Sequence, residues 1–394
     1  MTEWLADGDL LSVPGWRGAA VRTGVKPSGG LDLALVVADE PRVAAGVFTR
    51  NALPAAPVGV CRRTLAQDAR VRAIVINSGN ANAMTGERGE RDAVAMQART
   101  VERVGGPALV LSTGIIGVPL PVERVLAGID AAAGALAPRC AELADAILTT
   151  DTTRKTAALR TADGVTIGGF AKGSGMIHPN MATMLSVVAL DVAVEPRALE
   201  HLLRQAVERS FHEISVDGDT STNDAVLLVA GSGDDVIDAD SERLPGLTDD
   251  VTAVMQRLAR AIIDDGEGRT RTLELHVLGA RDHDAASRVA EAIVRSALVK
   301  TALAGGDPNW GRILAAAANA GVPLEAERVS LAIAGVRVFF GGLPTDYDVA
   351  AVSERFGRDE VRVDLDLGAG AASVRRFTTD LSVEYVRINS EYST

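Results

Sequence analysis

The sequence predicts an α+β chain in which sheets and helices stack in layers, and three observations carry that expectation. Short apolar, β-rich runs recur at residues 31–38, 43–48, 73–76, 108–111, 165–170 and 184–190, each bounded by Gly, Pro or Asn. Helical spacing separates several of the β-runs, most clearly over 195–211, where Leu199, Leu202, Leu203, Ala206 and Val207 share one stripe and Pro196 suits a first turn. A hairpin-like pair at 329–340 then breaks any strict β-α-β rhythm, which favours a layered sandwich over a doubly wound sheet.

The remaining elements follow in order. A strand is predicted at 225–230, then a polar stretch at 231–250 that reads as a surface loop and is the nearest thing to a domain boundary. Strands at 272–278, 329–333, 336–340 and 361–367 alternate with helical spacing over 285–299 and 310–319. No period of roughly 20 to 50 residues recurs, which argues against a solenoid or propeller. At 394 residues and 47% apolar content, two joined domains are expected, because single cores stop growing at roughly 250–300 residues. With 39 Gly against only 7 Phe, 3 Trp and 3 Tyr, the interior must be built from Ala, Val, Leu and Ile around tight turns.

The net charge of −12, with no Lys/Arg cluster, argues against a nucleic-acid partner. Cys61 and Cys140 stand apart, in neither disulfide nor zinc spacing, which suits a reducing cytoplasm. The first residues show no basic and apolar leader pattern. Residues 104–122 and 173–190 carry no charge and are long enough to be taken for membrane spans. They are interrupted by Pro107, Pro119, Pro121 and Pro179 and by several glycines, so they read as buried strands and loops, and no membrane association is expected. A third quiet run, 73–86, contains Asn77-Ser78-Gly79-Asn80-Ala81-Asn82. Such low-charge, Gly-rich segments are where a buried site can lie.

The common motifs are missing. Gly173-Ser174-Gly175 is followed by His178 where a dinucleotide fingerprint needs a third Gly, and there is no phosphate loop. The five histidines show no metal-ligand spacing, and there is no GxSxG elbow. Asp217-Gly218-Asp219-Thr220-Ser221-Thr222-Asn223-Asp224 lacks the Gly and Glu of a Ca²⁺ loop and reads as a turn-rich structural segment. In Gly306-Asp307-Pro308-Asn309-Trp310-Gly311-Arg312, Asp307 or Asn309 suits a helix cap.

One segment carries chemistry: Lys172-Gly173-Ser174-Gly175-Met176-Ile177-His178-Pro179-Asn180-Met181-Ala182-Thr183-Met184. A small residue, then Thr, then an apolar β-run is what an internally cleaved N-terminal-nucleophile enzyme needs. The Thr183 hydroxyl would attack the Ala182 carbonyl, move the acyl group from nitrogen to oxygen, and release a chain that begins at Thr183. Its free α-amine, with an ordinary pKa of about 7.7–8.0, could then serve as base to the adjacent hydroxyl. From spacing alone, a Thr opening a buried strand is the more ordinary reading.

The segment closely resembles the cleavage segment of the ornithine acetyltransferase (glutamate N-acetyltransferase) family of arginine biosynthesis. Further similar stretches run along the chain in order, including Gly24-Val25-Lys26, Asn77–Asn82, Ser112-Thr113-Gly114-Ile115, Thr149-Thr150-Asp151-Thr152, Asp217–Asp224, Gly266-Glu267-Gly268, Gly306–Arg312 and the terminal Asn389-Ser390-Glu391-Tyr392-Ser393-Thr394.

The resemblance implies an αββα sandwich of the self-processing N-terminal-nucleophile type with a second, smaller domain. It implies cleavage between Ala182 and Thr183 into chains 1–182 and 183–394, which stay intertwined and pair into a heterotetramer. Thr183 would be the acetyl-accepting nucleophile, with Thr113 and Gly114 as oxyanion hole; a hydroxyl beside a backbone N–H on a glycine-rich turn supplies two donors. Thr149, Lys172, Thr183, Glu267, Asn389 and Thr394 would contact substrate, with Thr150 as the alternative to Thr149 if the register is one residue off. Lys172 suits a substrate carboxylate and Glu267 an ammonium.

The family pattern continues after Gly268 with Ala-Thr-Lys, whereas Arg269-Thr270-Arg271 stand here, which puts substrate preference in question. The implied reaction is ping-pong: N-acetylornithine acetylates Thr183, ornithine leaves, and glutamate takes the acetyl group. No metal or prosthetic group is needed, and some members also accept acetyl-CoA. A self-processing amidohydrolase or aminopeptidase of related fold is the alternative, and a non-catalytic amino-acid-binding protein a third.

Overall fold

One long strand, Leu33–Phe48, belongs to two sheet layers at once. Its first half pairs antiparallel with Trp16–Val21 on one side and Arg70–Asn80 on the other, while its end, from Ala44, pairs antiparallel with Ala225–Val229. The register shifts between Val37 and Arg42, and Pro41 lies in that stretch, where a missing amide donor is tolerated. The polar Asp39-Glu40-Pro41-Arg42 reads in sequence as a turn between two strands; the bulge lets the chain run on instead.

The computed structural model describes residues 2–178 and 184–391. They form two compact units, one of residues 2–212 with 219–262, the other of 213–218 with 263–391. In the first, the strand order is Glu3–Trp4, Lys155–Arg160, Thr166–Lys172, Leu185–Leu190, Ala225–Val229, Leu33–Phe48, Arg70–Asn80, Ala108–Ile115, with Trp16–Val21 beside Leu33–Phe48. Every residue of Thr166–Lys172, Leu185–Leu190 and Ala225–Val229 is buried, which is why these runs are apolar without alternation.

Ile74, Ile76 and Val110 from one layer share a core cluster with Phe170, Val187 and Leu227 from the other, so the two sheet faces meet. Each such fully buried aliphatic side chain contributes about 1.5–3 kcal/mol. Helices Ala56–Gln67, Gly86–Val104 and Val122–Gly134 pack on the first layer and Pro196–Glu208 on the second, giving the αββα order. Cys61 is sealed inside this core, its thiol donating to the Val110 carbonyl at 3.1 Å, and burial pushes its pKa up to about 12. It is a packing residue.

The smaller unit is a seven-stranded sheet in the order Ile214–Ser215, Ala372–Thr379, Thr272–Ala280, Glu360–Asp366, Ser330–Ile333, Val336–Phe340, Leu343–Pro344. Glu360–Asp366 alternates buried and open residues, and Leu273, Leu275 and Val277 pack with Val289, Ile293 and Leu303 of the covering helices. The helix predicted over 285–299 is two, His283–Val294 and Ala297–Gly305. Ser296 stands extended between them and accepts from the Val299 amide at 3.3 Å, ending one helix and capping the next. Asn309, not Asp307, caps the helix Trp310–Ala318 by accepting from Arg312 N.

The polar stretch 231–250 is not the boundary. It holds the short strand Val236–Ile237, paired with Ala193–Val194, and the start of helix Leu244–Asp264. The units divide instead at residues 212–219 and in the last turn of that helix. Helix Gly86–Val104 escapes sequence reading because its many charges hide a narrow buried stripe of Gly89, Ala93, Met96 and Thr100. No helix among the described residues is long and apolar enough to cross a membrane.

Candidate active site

Thr113 and Gly114 lie at the end of strand Ala108–Ile115, in parallel register with Ser78 and Gly79, not on the turn that Ser-Thr-Gly suggests. Gly114 has φ +128°, and a Cβ there would run into the carbonyl carbon of Gly79 and the amide nitrogen of Asn80. Only glycine permits this approach. The polar residues of the 77–82 run hold the floor together. Asn77 donates to the Asn80 carbonyl at 2.9 Å and accepts from the Ser112 hydroxyl at 2.5 Å, while Asn223 Nδ2 donates to the Ala81 and Ser112 carbonyls at 2.6 and 2.8 Å. Buried polar groups satisfied in this way fix one arrangement of the strand ends.

Lys172 closes strand Thr166–Lys172 and is only 2% exposed. The antiparallel register sets it opposite Leu185, the first residue of the strand that follows the expected cleavage position. Its ammonium donates to the hydroxyls of Thr149, at 2.8 Å, and Thr113, at 3.2 Å. A hydroxyl that accepts from an ammonium has its own proton free to point elsewhere, which is the arrangement an oxyanion donor needs. Thr149, not Thr150, is the threonine that meets Lys172; the Thr150 hydroxyl pairs with that of Ser174 at 2.8 Å.

Charged residues that sequence reasoning did not assign to the site surround this pair. The Asp151 side chain is fully buried; its carboxylate accepts from Lys155 Nζ at 2.7 Å and from the amides of Gly173 and Thr149 at 2.6 and 3.0 Å. The neighbouring Lys172 and Lys155 charges outweigh its burial and hold its pKa down at about 2. Lys26 packs over Gly79, and burial lowers its pKa against the opposing pull of Asp32. Asp224, at the head of strand Ala225–Val229, accepts from the Met184 amide at 3.0 Å. Burial raises its pKa well above the usual carboxylate value, against the opposing pull of the Met184 amide and the Lys172 charge. Asp151 and Asp224 both lie inside motifs that the resemblance picked out; a charge in an otherwise neutral, turn-rich motif was the available signal.

In the second unit, Glu267 is 8% exposed and accepts from Asn389 Nδ2 at 2.8 Å; Asn389 lies on helix Val383–Glu391. The next residue, Gly268, has φ +63°, and a Cβ there would strike the Tyr385 backbone, so Gly266-Glu267-Gly268 can lie flush against that helix. Arg269 turns to the Thr272 hydroxyl and to Asp359, both at 2.8 Å. Arg271 donates to the carbonyls of Gly357 and Ala304 at 3.0 and 2.6 Å. Both guanidiniums are thus engaged in tying segments of this unit together. Ala182, Thr183 and Thr394 lie outside the described residues, as does Pro179.

The sequence pattern of the ArgJ family matches residues 17–394. An arginine biosynthesis bifunctional protein ArgJ from Parasynechococcus marenigrum is 45% identical over 99% of this chain and 96% of its own length. The chain belongs to the ArgJ family. A second ArgJ relative, from Symbiobacterium thermophilum, is 45% identical over the full length of both chains. Among solved structures, ornithine acetyltransferase from Mycobacterium tuberculosis, complexed with ornithine, is 39% identical and matches 45% of this chain and 98% of its own, with a TM-score of 0.44. The ArgJ protein of Bacillus halodurans is 32% identical over 51% of this chain and 96% of its own, with a TM-score of 0.49. For this ArgJ chain, Thr113, Gly114, Thr149 and Lys172 are gathered in one unit, and Glu267 and Asn389 are paired in the other.

Proposed function

We propose that this ArgJ chain is an ornithine acetyltransferase, moving the acetyl group of N-acetylornithine to glutamate through an acyl-threonine intermediate after cleavage between Ala182 and Thr183. Family membership supports the reaction class. The observation that carries the site is the Lys172 ammonium held between Thr113 and Thr149, a fixed cation beside an oxyanion donor.

The α-amine of Thr183 takes the hydroxyl proton as the oxygen attacks the acetyl carbonyl of N-acetylornithine. The negative charge that develops on the carbonyl oxygen is met by the Thr113 hydroxyl and the Gly114 N–H. Collapse breaks the C–N bond, the proton passes to the departing ornithine amine, and acetyl-Thr183 remains. The amine of glutamate then attacks the ester, and the same groups return Thr183 to its free hydroxyl form. Lys172 and Thr149 bind the α-carboxylate that both substrates share, and the Glu267 carboxylate, oriented by Asn389, is assigned to an ammonium. Water must be kept out, because an acyl ester reached by water yields acetate.

The reaction needs no prosthetic group, and acetyl-CoA is a second donor to be assayed. The chains 1–182 and 183–394 are proposed to pair two and two, in the cytoplasm. The test is intact mass under denaturing conditions followed by an exchange assay. Two chains, the second beginning at Thr183, together with glutamate-dependent transfer of acetyl from N-acetylornithine, are expected. Acetate released without glutamate would point to the hydrolase reading, and an uncut, inactive chain to neither enzyme.

A further inference from the structure

Asp151 touches none of the groups proposed to meet substrate through its own side chain, yet it anchors two of them through the backbone. One carboxylate oxygen accepts from Gly173 N, the residue after Lys172, and the other from Thr149 N, whose hydroxyl accepts from Lys172. The bonds close a ring: Asp151 to Gly173, along the chain to Lys172, across to the Thr149 hydroxyl, and back through the Thr149 amide. Lys155 binds the same carboxylate and the Thr153 carbonyl at 3.2 Å, so the carboxylate is itself fixed and its charge matched inside the core.

We propose that Asp151 is the positioning residue for the carboxylate-binding end of the active site, fixing Thr149 and Lys172 relative to each other and supplying the negative charge against which the Lys172 ammonium is held. The inference rests on the transferase reading above. A carboxylate can accept from both backbone amides and from Lys155 at once. An asparagine can accept from one amide only and turns an NH₂ toward the other, so Asp151→Asn opens the ring with almost no change in volume. An error of about 1 Å in the placement of substrate-binding groups costs on the order of a hundredfold in rate.

Among the described residues, the charged and titratable groups that face Lys172 include Asp151, with Lys155 behind it, Lys26 from the loop before Leu33, and Asp224. Loss of the Asp151 charge removes a buried carboxylate that faces Lys172 while the Lys155 and Lys26 charges stay, so its ammonium is less favoured and the basic limb of the pH profile moves to lower pH.

The experiment uses the full-length processed enzyme and compares wild type with Asp151→Asn and with the double variant Asp151→Asn, Lys155→Met, which removes the Lys155 charge together with the carboxylate it faces and keeps the test open if the single variant does not fold. Expected is a loss of about a hundredfold in kcat/KM for both N-acetylornithine and glutamate in both variants, carried mainly by KM. The basic limb should shift down in the single variant and return toward the wild-type position in the double. Folded variants with unchanged KM and unchanged limb overturn the inference while leaving the transferase reading intact. A wild-type enzyme that neither transfers acetyl groups nor binds ornithine in calorimetry overturns that reading, and this inference with it.

Discussion

The Lys172 ammonium donates to the Thr113 hydroxyl across 3.2 Å, so a buried cation and the proposed oxyanion donor are joined by one hydrogen bond. Thr113→Val keeps the shape and removes the hydroxyl. The transfer rate should fall about 10²–10³-fold, or about 2.7–4 kcal/mol, with KM for N-acetylornithine nearly unchanged, and Thr113→Ser should recover most of it. Steady-state kinetics on the three proteins decides; a rise in KM with kcat preserved would mean that Thr113 serves binding.

Gly114 is committed by its backbone. Because a Cβ at φ +128° would overlap Gly79 and Asn80, Gly114→Ala should push the strand ends apart. Loss of activity with a lowered melting temperature is the expected outcome, whereas Gly134→Ala, where nothing approaches, should leave both in place.

The Asp151–Lys155 pair makes stability depend on acid. The folded pKa of Asp151, at about 2, lies below its ordinary 3.8, so the stabilisation is complete above about pH 4 and is lost as pH falls toward 2. Asp151→Asn removes the carboxylate that balances the buried Lys155 charge and should cost about 3–5 kcal/mol near neutral pH. Urea midpoints measured from pH 7 down to pH 3 should show the gap between wild type and variant narrowing only at the acid end.

Asp224 runs in the opposite sense. Its pKa is raised, so the folded state holds a proton that the unfolded chain gives up, and the residue becomes a liability as pH climbs above its ordinary 3.8. Asp224→Asn can still accept from the Met184 amide and should be at least as stable as wild type at pH 7, with the advantage shrinking toward pH 4. Thermal melts across that range test it; a variant less stable at pH 7 would mean that the contacts of the ionised carboxylate outweigh the cost of its burial.

Arg271 ties the carbonyls of Gly357 and Ala304 together, away from its position in the Glu267 loop. Arg271→Ala should therefore cost about 1–2 kcal/mol of stability while leaving the ratio of kcat/KM for N-acetylornithine and glutamate as it was. A changed ratio would return Arg271 to the substrate pocket.

Much of this was legible in the sequence, because the residues that make each element are local. Apolar runs such as 185–190, glycines at turns and Pro196 at a helix start mark strands, turns and helix ends directly, and the unbroken order of motifs identifies the family. What the sequence could not contain is which distant residues share a site. Helix Gly86–Val104 was hidden because burial of one narrow stripe outweighs its charges. The strands at 31–38 and 43–48 became one because a bulge absorbs Pro41. Asp151 was one residue of a family-like motif and Asp224 the end of a turn-rich segment until the folded chain closed over them. A carboxylate has the same identity in a solvated loop and in a sealed core; only the tertiary structure sets the desolvation and the partners that separate a pKa of about 2 at Asp151 from a raised one at Asp224.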